Sequence, residues 1–127
     1  MIKSRKLDHI GLAVTDLEAS KAWYCDVLGY EVIGHFFAGS TPAYFLKNGD
    51  TVYEMYEEQV PEAVQGKIDH IAFVSEDIEA DYAYCQAQGY TICTNGIEGI
   101  PTFWEKGCRY FKLLTPTGEQ VEFCQIL

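Results

Sequence analysis

The stretch Lys6–Ala19 (KLDHIGLAVTDLEA) recurs in the same chain as Lys67–Ala80 (KIDHIAFVSEDIEA). Seven of these fourteen positions are identical at a constant offset of 61 residues, and the similarity continues in Leu28–Val32 (LGYEV) and Gln88–Ile92 (QGYTI), now offset by 60. Self-similarity at a fixed spacing is typical of a chain built from repeated structural units. The sequence therefore predicts two copies of one module, with one residue lost inside the helix of the second copy.

Each copy begins with residues that alternate between bulky apolar and smaller or polar side chains, which is typical of a strand covered on one face. Both histidines, His9 and His70, fall on the face opposite the bulkier apolar residues. A helix follows each strand. In the first copy a possible capping box begins at Thr15 and Gly29 occupies the position of a helix end, while the second helix is predicted at about 77–89.

Three further strand-like runs follow each helix, with turn residues before the last of them. They are Tyr30–Ile33, Ala43–Leu46 and Thr51–Tyr56 in the first copy, and Tyr90–Cys93, Tyr110–Leu114 and Gln120–Gln125 in the second. The order in both copies is β-α-β-β-β, so we predict an α+β fold. Module 1 is expected at about 5–59, a linker at about 60–66 and module 2 at about 67–127, within a single domain over 1–127.

Length and composition exclude several classes of protein. A chain of 127 residues that is 48% hydrophobic can bury the core of one domain. Its formal net charge of −10 repels nucleic acid and anionic membrane surfaces. No stretch approaches the roughly 18 to 20 apolar residues of a membrane span, and no CxxC pair suggests a thiolate metal site. We therefore expect a soluble cytoplasmic protein that binds neither nucleic acid nor membranes.

The last strand of each module carries a glutamate on its more polar face, Glu54 in the first and Glu122 in the second. A single strand histidine or glutamate is usually an ordinary surface or core residue. Here, however, the repeat relates His9 and Glu54 to His70 and Glu122, which gives two nitrogen and two oxygen donors in equivalent places. Such a donor set suits one divalent ion of intermediate softness, completed by water.

The whole pattern resembles a known family. The segment LDHIGLAVTDLEASKAWYCDVLGYEV, repeated as IDHIAFVSEDIEADYAYCQAQGYTI and closed by TPTGEQVEF, is similar to the short glyoxalase I-like members of the vicinal oxygen chelate superfamily, over nearly the whole chain. The resemblance implies two tandem βαβββ modules that form a half-open barrel around a metal site. The ligands that it implies are His9, Glu54, His70 and Glu122, around one divalent ion of Zn, Ni, Co, Mn or Fe.

The resemblance also implies an activity: that of a metal-dependent isomerase or lyase, like lactoylglutathione lyase, on a small carbonyl-containing substrate. Abstraction of a proton next to a carbonyl leaves an enediolate, whose negative charge a divalent ion stabilises as a Lewis acid. Glu122 corresponds to the catalytic base, and Glu54 would be a ligand and a second acid or base. Similar short members are homodimers, so a homodimer is expected here.

Two departures from the glyoxalase I pattern concern the substrate. The residues after Glu54 read Met55-Tyr56-Glu57-Glu58, without the asparagine that is usual in the glutathione-dependent enzymes, and the usual DPDG turn reads TPTG at 115–118. Dependence on glutathione is therefore not predicted.

The segment 95–109 (NGIEGIPTFWEKGCR) suits a lid or a pocket wall, in which Phe103 and Trp104 would contact substrate. The alternative is an ordinary surface loop with both aromatic side chains tucked into the core. Lys106 and Arg109 are candidates to bind an anionic group of the substrate; the alternative for both is a solvated charge.

Other functions of the same fold stay open at this point. Fosfomycin-resistance relatives are metal-dependent thiol or water transferases with two histidines and one glutamate, and other relatives bind drugs or metabolites without turning them over. Extradiol dioxygenases usually have four modules, whereas this chain has two. His35 has no counterpart in the second module and is predicted to be structural or exposed, in a loop-like stretch. Cys124 is predicted to be an inert thiol instead of a nucleophile.

Overall fold

The computed structural model of the chain describes residues 9–59 and 70–127. The chain consists of two compact units, Met1–Pro61 and Glu62–Leu127. The predicted linker at 60–66 lies outside the described residues, and so do the predicted strand positions before His9 and His70.

The first unit is a four-stranded sheet with one helix. Its elements are β1 (Ile10–Val14), α1 (Leu17–Leu28), β2 (Glu31–Ala38), β3 (Thr41–Asn48) and β4 (Thr51–Glu57). The strand order in the sheet is β1-β4-β3-β2. β1 pairs with β4 in parallel, and the other two pairings are antiparallel.

The second unit repeats this arrangement. Its elements are β5 (Ile71–Val74), α2 (Ile78–Ala87), β6 (Glu98–Ile100), β7 (Cys108–Leu114) and β8 (Gln120–Ile126). The strand order is β5-β8-β7-β6, again with the first strand parallel to the last and the other pairs antiparallel. The predicted α+β class and the β-α-β-β-β order of both modules are therefore confirmed. The half-open barrel that the two modules would form around a metal stays a prediction.

The predicted second strand of module 2 was wrong. In place of a strand at Tyr90–Cys93, only Ile92 forms an isolated bridge, to Leu113 of β7. The strand that pairs with the edge of β7 is β6, which lies inside the segment that was expected to be an irregular loop. The turn around Gly96, whose φ is 68°, separates the two pieces. Two short segments thus share the hydrogen-bonding edge of β7, where one continuous strand was expected.

The start of α1 also differs from the prediction. The N-cap is Asp16, with extended φ and ψ of −142° and 100°, and its Oδ1 accepts a 3.0 Å hydrogen bond from the Ala19 amide. Asp77 caps α2 in the same way, through a 3.1 Å bond from the Ala80 amide. The prediction that a capping box begins at Thr15 is therefore wrong, because the N-cap lies one residue later, at Asp16. At the end of α1, Gly29 has a φ of 71°, which confirms the predicted helix end.

Replacing Asp16 by alanine is expected to lower the free energy of unfolding by about 1 kcal/mol, because an amide at the start of α1 loses its acceptor. Replacing Thr15 by alanine is the matched control and is expected to change stability by less than about 0.5 kcal/mol. Urea unfolding of the two variants measures both values. A larger loss in the Thr15 variant would show that the threonine is the cap in solution.

In each unit the helix packs against one face of its sheet, and this leaves the other face for the candidate site. In the first unit Tyr24 of α1 contacts Tyr53 of β4 with ring centroids 5.5 Å apart, and both side chains are buried. In the second unit Tyr82 of α2 contacts the buried Phe111 of β7 at 5.3 Å. Because side chains alternate along a strand, residues next to these core positions point away from the helix.

Candidate metal centre

The first candidate pair lies where β1 and β4 run side by side. His9 directly precedes β1, and Glu54 lies in β4 next to the buried Tyr53 and Met55. The parallel register aligns Glu54 with Gly11, two residues after the histidine. His9 Nε2 is 3.0 Å from Glu54 Oε2, and both side chains are 35% exposed.

The second unit builds the same pair at the equivalent place. His70 directly precedes β5, and the parallel register aligns Glu122 of β8 with Ala72, again two residues after the histidine. His70 Nε2 is 3.3 Å from Glu122 Oε2. The Glu122 side chain is only 11% exposed. The sequence repeat is therefore also a repeat of geometry, with one His–Glu pair in each unit.

The separation of the two donor atoms in each pair fits two ligands of one ion. Donors that bind an ion at about 2.1 Å lie about 3.0 Å apart at right angles and about 3.4 Å apart at the tetrahedral angle. The observed separations of 3.0 and 3.3 Å fall within these limits. The shorter one also suits a hydrogen bond from a protonated imidazole nitrogen. Imidazole nitrogen and carboxylate oxygen together suit Zn, Ni, Co, Mn and Fe.

Each pair supplies two of the four predicted ligands, and the two pairs belong to different units. Among the described residues, 9–59 and 70–127, no group of three or more His, Cys, Asp or Glu side chains is arranged to hold an ion. The pairing of each histidine with the glutamate of its own module is thus observed. A single centre with all four ligands stays a prediction.

A cleft of about 400 Å³ opens beside Glu54 in the first unit. Its lining includes Thr41, Tyr56 and two further acidic residues, Glu57 and Glu58. This volume lies within the roughly 300 to 1,000 Å³ that small-molecule sites occupy. The carboxylate of the first pair is therefore accessible to a small ligand.

Sequence analysis missed one residue next to the second pair. Lys112 of β7 lies directly opposite Glu122 in the antiparallel register with β8. Its Nζ is 3.9 Å from Glu122 Oε2, and its side chain is 17% exposed. The feature that could have identified it is the alternation of β7, where Lys112 stands between Phe111 and Leu113, both fully buried on the helix-facing side.

The four residues predicted to contact substrate lie between β6 and β7 or at the start of β7. Phe103 and Trp104 are 54% and 69% exposed, so the alternative that they are tucked into the core is wrong. Lys106 is also exposed. Arg109 forms an ion pair with Glu79 of α2 at 2.5 Å, on the helix side of the sheet. A role of any of the four in binding substrate stays a prediction.

Two other residues were predicted not to be catalytic. His35 lies within β2, not in a loop, and its ring stacks on Tyr44 with centroids 4.3 Å apart. Cys124 is one of five free cysteines. Burial, with a smaller effect of the neighbouring Cys108, raises the pKa of its thiol above the ordinary value. Since the thiolate is the nucleophilic form, this shift agrees with an inert cysteine.

Two βαβββ units, each with a histidine just before its first strand and a glutamate on its last strand, define a class of paired-module proteins. The sequence profile of the Glyoxalase/Bleomycin resistance protein/Dioxygenase superfamily matches residues 6–123. The chain therefore belongs to this superfamily, as its resemblance to the vicinal oxygen chelate proteins predicted. Members of the family commonly form dimers and bind small molecules.

Individual relatives agree with this family. The chain is 31% identical over 130 residues to Uncharacterized protein YwbC of Bacillus subtilis, covering 96% of this chain and 98% of the relative. Among solved structures, a glyoxalase family protein from Enterococcus faecalis superposes with a TM-score of 0.78 at 21% identity, covering 94% of this chain and 97% of that one.

Two more distant structures have the same fold and named functions. The fosfomycin resistance protein FosX from Listeria monocytogenes, solved with Mn(II) and sulfate, has a TM-score of 0.69 at 19% identity and covers 100% of this chain and 95% of its own. Lactoylglutathione lyase from Agrobacterium tumefaciens has a TM-score of 0.67 at 19% identity, with coverage of 97% and 96%. At these identities the similarity establishes the fold alone. Within the described part of the chain, no helix has the length and hydropathy to cross a membrane.

Proposed function

We propose that this protein is a metal-dependent isomerase or lyase of the glyoxalase I type, acting on a small carbonyl-containing substrate through an enediolate-type intermediate. The observation that carries the proposal is the pair of His–Glu contacts, at 3.0 and 3.3 Å, in the same register of both modules. We propose that His9, Glu54, His70 and Glu122 together hold one divalent ion. Once bound, the ion would act as a Lewis acid on two neighbouring substrate oxygens.

Glu122 is proposed as the base that removes the proton next to the carbonyl. A carboxylate shielded from water can return the proton to the adjacent carbon before it exchanges with solvent. The Glu122 side chain is 11% exposed and the Glu54 side chain 35%, so Glu122 meets this requirement better. Glu54 is proposed as a ligand and as the second acid or base. Its position beside the 400 Å³ cleft supports a substrate of modest size.

The FosX-type alternative requires only two histidines and one glutamate as ligands. The occurrence of a His–Glu pair in each module favours the isomerase or lyase, because Glu54 would otherwise have no role in the site. A protein that only binds drugs or metabolites would need no metal ligands at all. A test of metal binding by each ligand therefore separates the three functions.

We expect one divalent ion per chain when the purified protein is titrated with Ni²⁺, Zn²⁺, Co²⁺ or Mn²⁺ in equilibrium dialysis. Replacement of either His9 or His70 by alanine should weaken metal binding by more than about 10- to 100-fold. That is the loss seen when a residue that only supports a metal ligand is removed, and removal of a ligand itself should cost more. The third histidine of the chain provides the control. His35→Ala should leave metal affinity unchanged, because this ring stacks on Tyr44 and is a member of neither His–Glu pair.

Other stoichiometries would contradict the proposal in recognisable ways. Two ions per chain, each lost with one histidine only, would mean that the pairs act as separate sites. An absence of binding would favour the non-catalytic alternative. Full affinity in Glu54→Gln, with loss in Glu122→Gln, would favour the three-ligand transferase.

A homodimer and a cytoplasmic location are proposed as well. The edge strand β2 supports an interface between chains, because several of its large apolar side chains are exposed. These are Val32, Ile33, Phe36 and Phe37, which are 45% to 64% exposed. An apolar strand edge of this kind is usually covered by another chain or element.

A further inference from the structure

The imidazole ring of His9 lies against the phenyl ring of Phe45. Phe45 occupies the position of β3 opposite Glu54 in the antiparallel register of β3 and β4. The centroids of the two rings are 5.7 Å apart and their planes meet at 75°, which is the edge-to-face geometry that aromatic rings favour. The register and the ring contact together place Phe45 next to the first His–Glu pair.

Phe45 points to the face of the sheet that α1 does not cover. Its two neighbours in β3 belong to the helix side, because Tyr44 Oη donates a 2.7 Å hydrogen bond to Glu18 of α1 and Leu46 is fully buried. Side chains alternate along a strand, so Phe45 lies on the opposite face, as Glu54 does. Replacing Phe45 therefore opens no cavity in the core between sheet and helix.

A second phenyl ring supports the first. Phe36 of β2 is 62% exposed, yet its ring centroid lies 6.0 Å from that of Phe45, with the planes at 68°. Gly34 is opposite Phe45 in the register of β2 and β3. A methyl group at position 34 would overlap the Phe36 ring. The glycine therefore leaves the space in which Phe36 reaches across the sheet to Phe45.

The orientation of an imidazole ring decides whether it can bind an ion. The torsion between Cβ and the ring is broad and roughly two-fold, so a ring without neighbours turns and presents carbon in place of nitrogen. Groups that fix a ligating imidazole therefore contribute to metal affinity, although they do not touch the metal. The His9 side chain is 35% exposed, so it is not fixed by burial in the core. The edge-to-face contact with Phe45 is one contact that restricts its rotation.

We propose that Phe45 is a positioning residue for the metal ligand His9, and that Phe36 and Gly34 hold Phe45 in place. Phe45 acts through the histidine, whose Nε2 it keeps on the side of Glu54, and is itself no ligand. The position opposite Glu122 in the second module is Lys112, so the repeat does not supply the same ring there. This inference rests on the proposed metal site, because His9 is one of its four ligands.

The test measures Co²⁺ affinity by equilibrium dialysis, after circular dichroism has shown that each variant is folded. Phe45→Leu keeps an apolar side chain but removes the ring, and Phe45→Tyr keeps the ring. Phe37→Leu is the matched control, because Phe37 is the next residue of β2 after Phe36 and is equally exposed, at 64%. It points to the opposite face of the sheet.

Phe45→Leu is expected to weaken Co²⁺ binding by about 3- to 10-fold, the range that corresponds to loss of one aromatic pair. Phe45→Tyr and Phe37→Leu should bind Co²⁺ as tightly as the wild type. Gly34→Ala should weaken binding less than Phe45→Leu does, because it displaces Phe36 and leaves the Phe45 ring in place. Gly34 is not among the glycines with positive φ, so alanine introduces no backbone strain there.

A double variant separates positioning of His9 from a general structural role. Phe45→Leu is combined with His9→Ala, and both His9 variants are dialysed at higher Co²⁺ concentrations. If Phe45 acts through the imidazole, its replacement should cost no further affinity once the imidazole is gone. A residue that only stabilises the sheet would weaken binding equally with and without His9.

Several results would overturn the inference and leave the proposed metal site intact. They are unchanged Co²⁺ affinity in Phe45→Leu, an equal loss with and without His9, and a loss in Phe37→Leu as large as in Phe45→Leu. Unchanged affinity in Gly34→Ala would overturn the role given to Phe36 and Gly34. A wild-type protein that binds no metal would refute the proposed function and this inference together, and dialysis of the wild type identifies that case.

Discussion

Replacing Glu122 by glutamine is expected to lower kcat by about 10³-fold or more while the fold and the bound metal are retained. Glutamine keeps the volume and one oxygen donor of the side chain but removes its charge and its basicity. General acid-base catalysis contributes about 10² to 10⁴-fold, and the charge of a ligand also tunes the metal. Because the Glu122 side chain, in β8, is only 11% exposed, we expect no other carboxylate or water to replace it easily.

The matched control is Glu54→Gln, the equivalent change in the first module. Glu54→Gln should lower kcat less than Glu122→Gln does if Glu54 is mainly a ligand. Both variants are to be checked for metal content and then assayed on substrates identified by screening small ketoses, hydroxyacyl compounds and thiohemiacetals with several metals. If Glu122→Gln stays metallated and nearly as active as the wild type while Glu54→Gln is inactive, the base belongs to the first module.

Replacing Phe111 by alanine is expected to lower the free energy of unfolding by about 3 to 5 kcal/mol. Phe111 is fully buried in β7, stacks on Phe123 of β8 with centroids 5.4 Å apart, and meets Tyr82 of α2 edge-on at 5.3 Å. The substitution removes the side chain that joins sheet and helix in the second unit and leaves a cavity. Natural domains have only about 5 to 15 kcal/mol of stability, so the urea midpoint should fall sharply.

Phe103→Ala provides the comparison, since the same chemical change is made at a side chain that is 54% exposed. It should change stability by no more than about 0.5 kcal/mol. Similar losses in both variants would mean that Phe103 is also buried in solution, which would return it to the core packing that the structure excludes. A loss below about 1 kcal/mol in Phe111→Ala would contradict the core assigned to the second unit.

Much of the fold could be predicted from the sequence, because the chain repeats itself. The same was true of part of the candidate centre, namely the equivalent positions of the histidine and the glutamate in the two modules. The shared histidine and glutamate positions implied equivalent places, and the parallel pairing of first and last strands puts His9 near Glu54 and His70 near Glu122. The N-cap was also present in the repeat. Asp16 recurs as Asp77, whereas Thr15 is replaced by Glu76. Asp16, the residue that both copies share, was therefore the better candidate for the N-cap.

The edge of the second sheet was not predictable in the same way. Tyr90–Cys93 has the composition of a strand, but the local sequence cannot tell which segment will bond to the edge of β7. The structure assigns most of that edge to β6 and leaves Ile92 with a single bridge. Edge pairing depends on hydrogen bonds between residues distant in sequence, and these override the propensity of a short apolar run.

The sequence by itself determined the family, the two modules and the four candidate ligands, because these follow from identities at a constant spacing. Only the tertiary structure showed which basic residue of β7 lies beside a candidate metal ligand. Arg109 and Lys112 lie in the same strand, three positions apart, so they point to opposite faces of the sheet. The packing of α2 on one face pairs Arg109 with Glu79, while the register between β7 and β8 sets Lys112 opposite Glu122. That register is a property of the folded sheet, since it depends on which backbone groups pair across two strands.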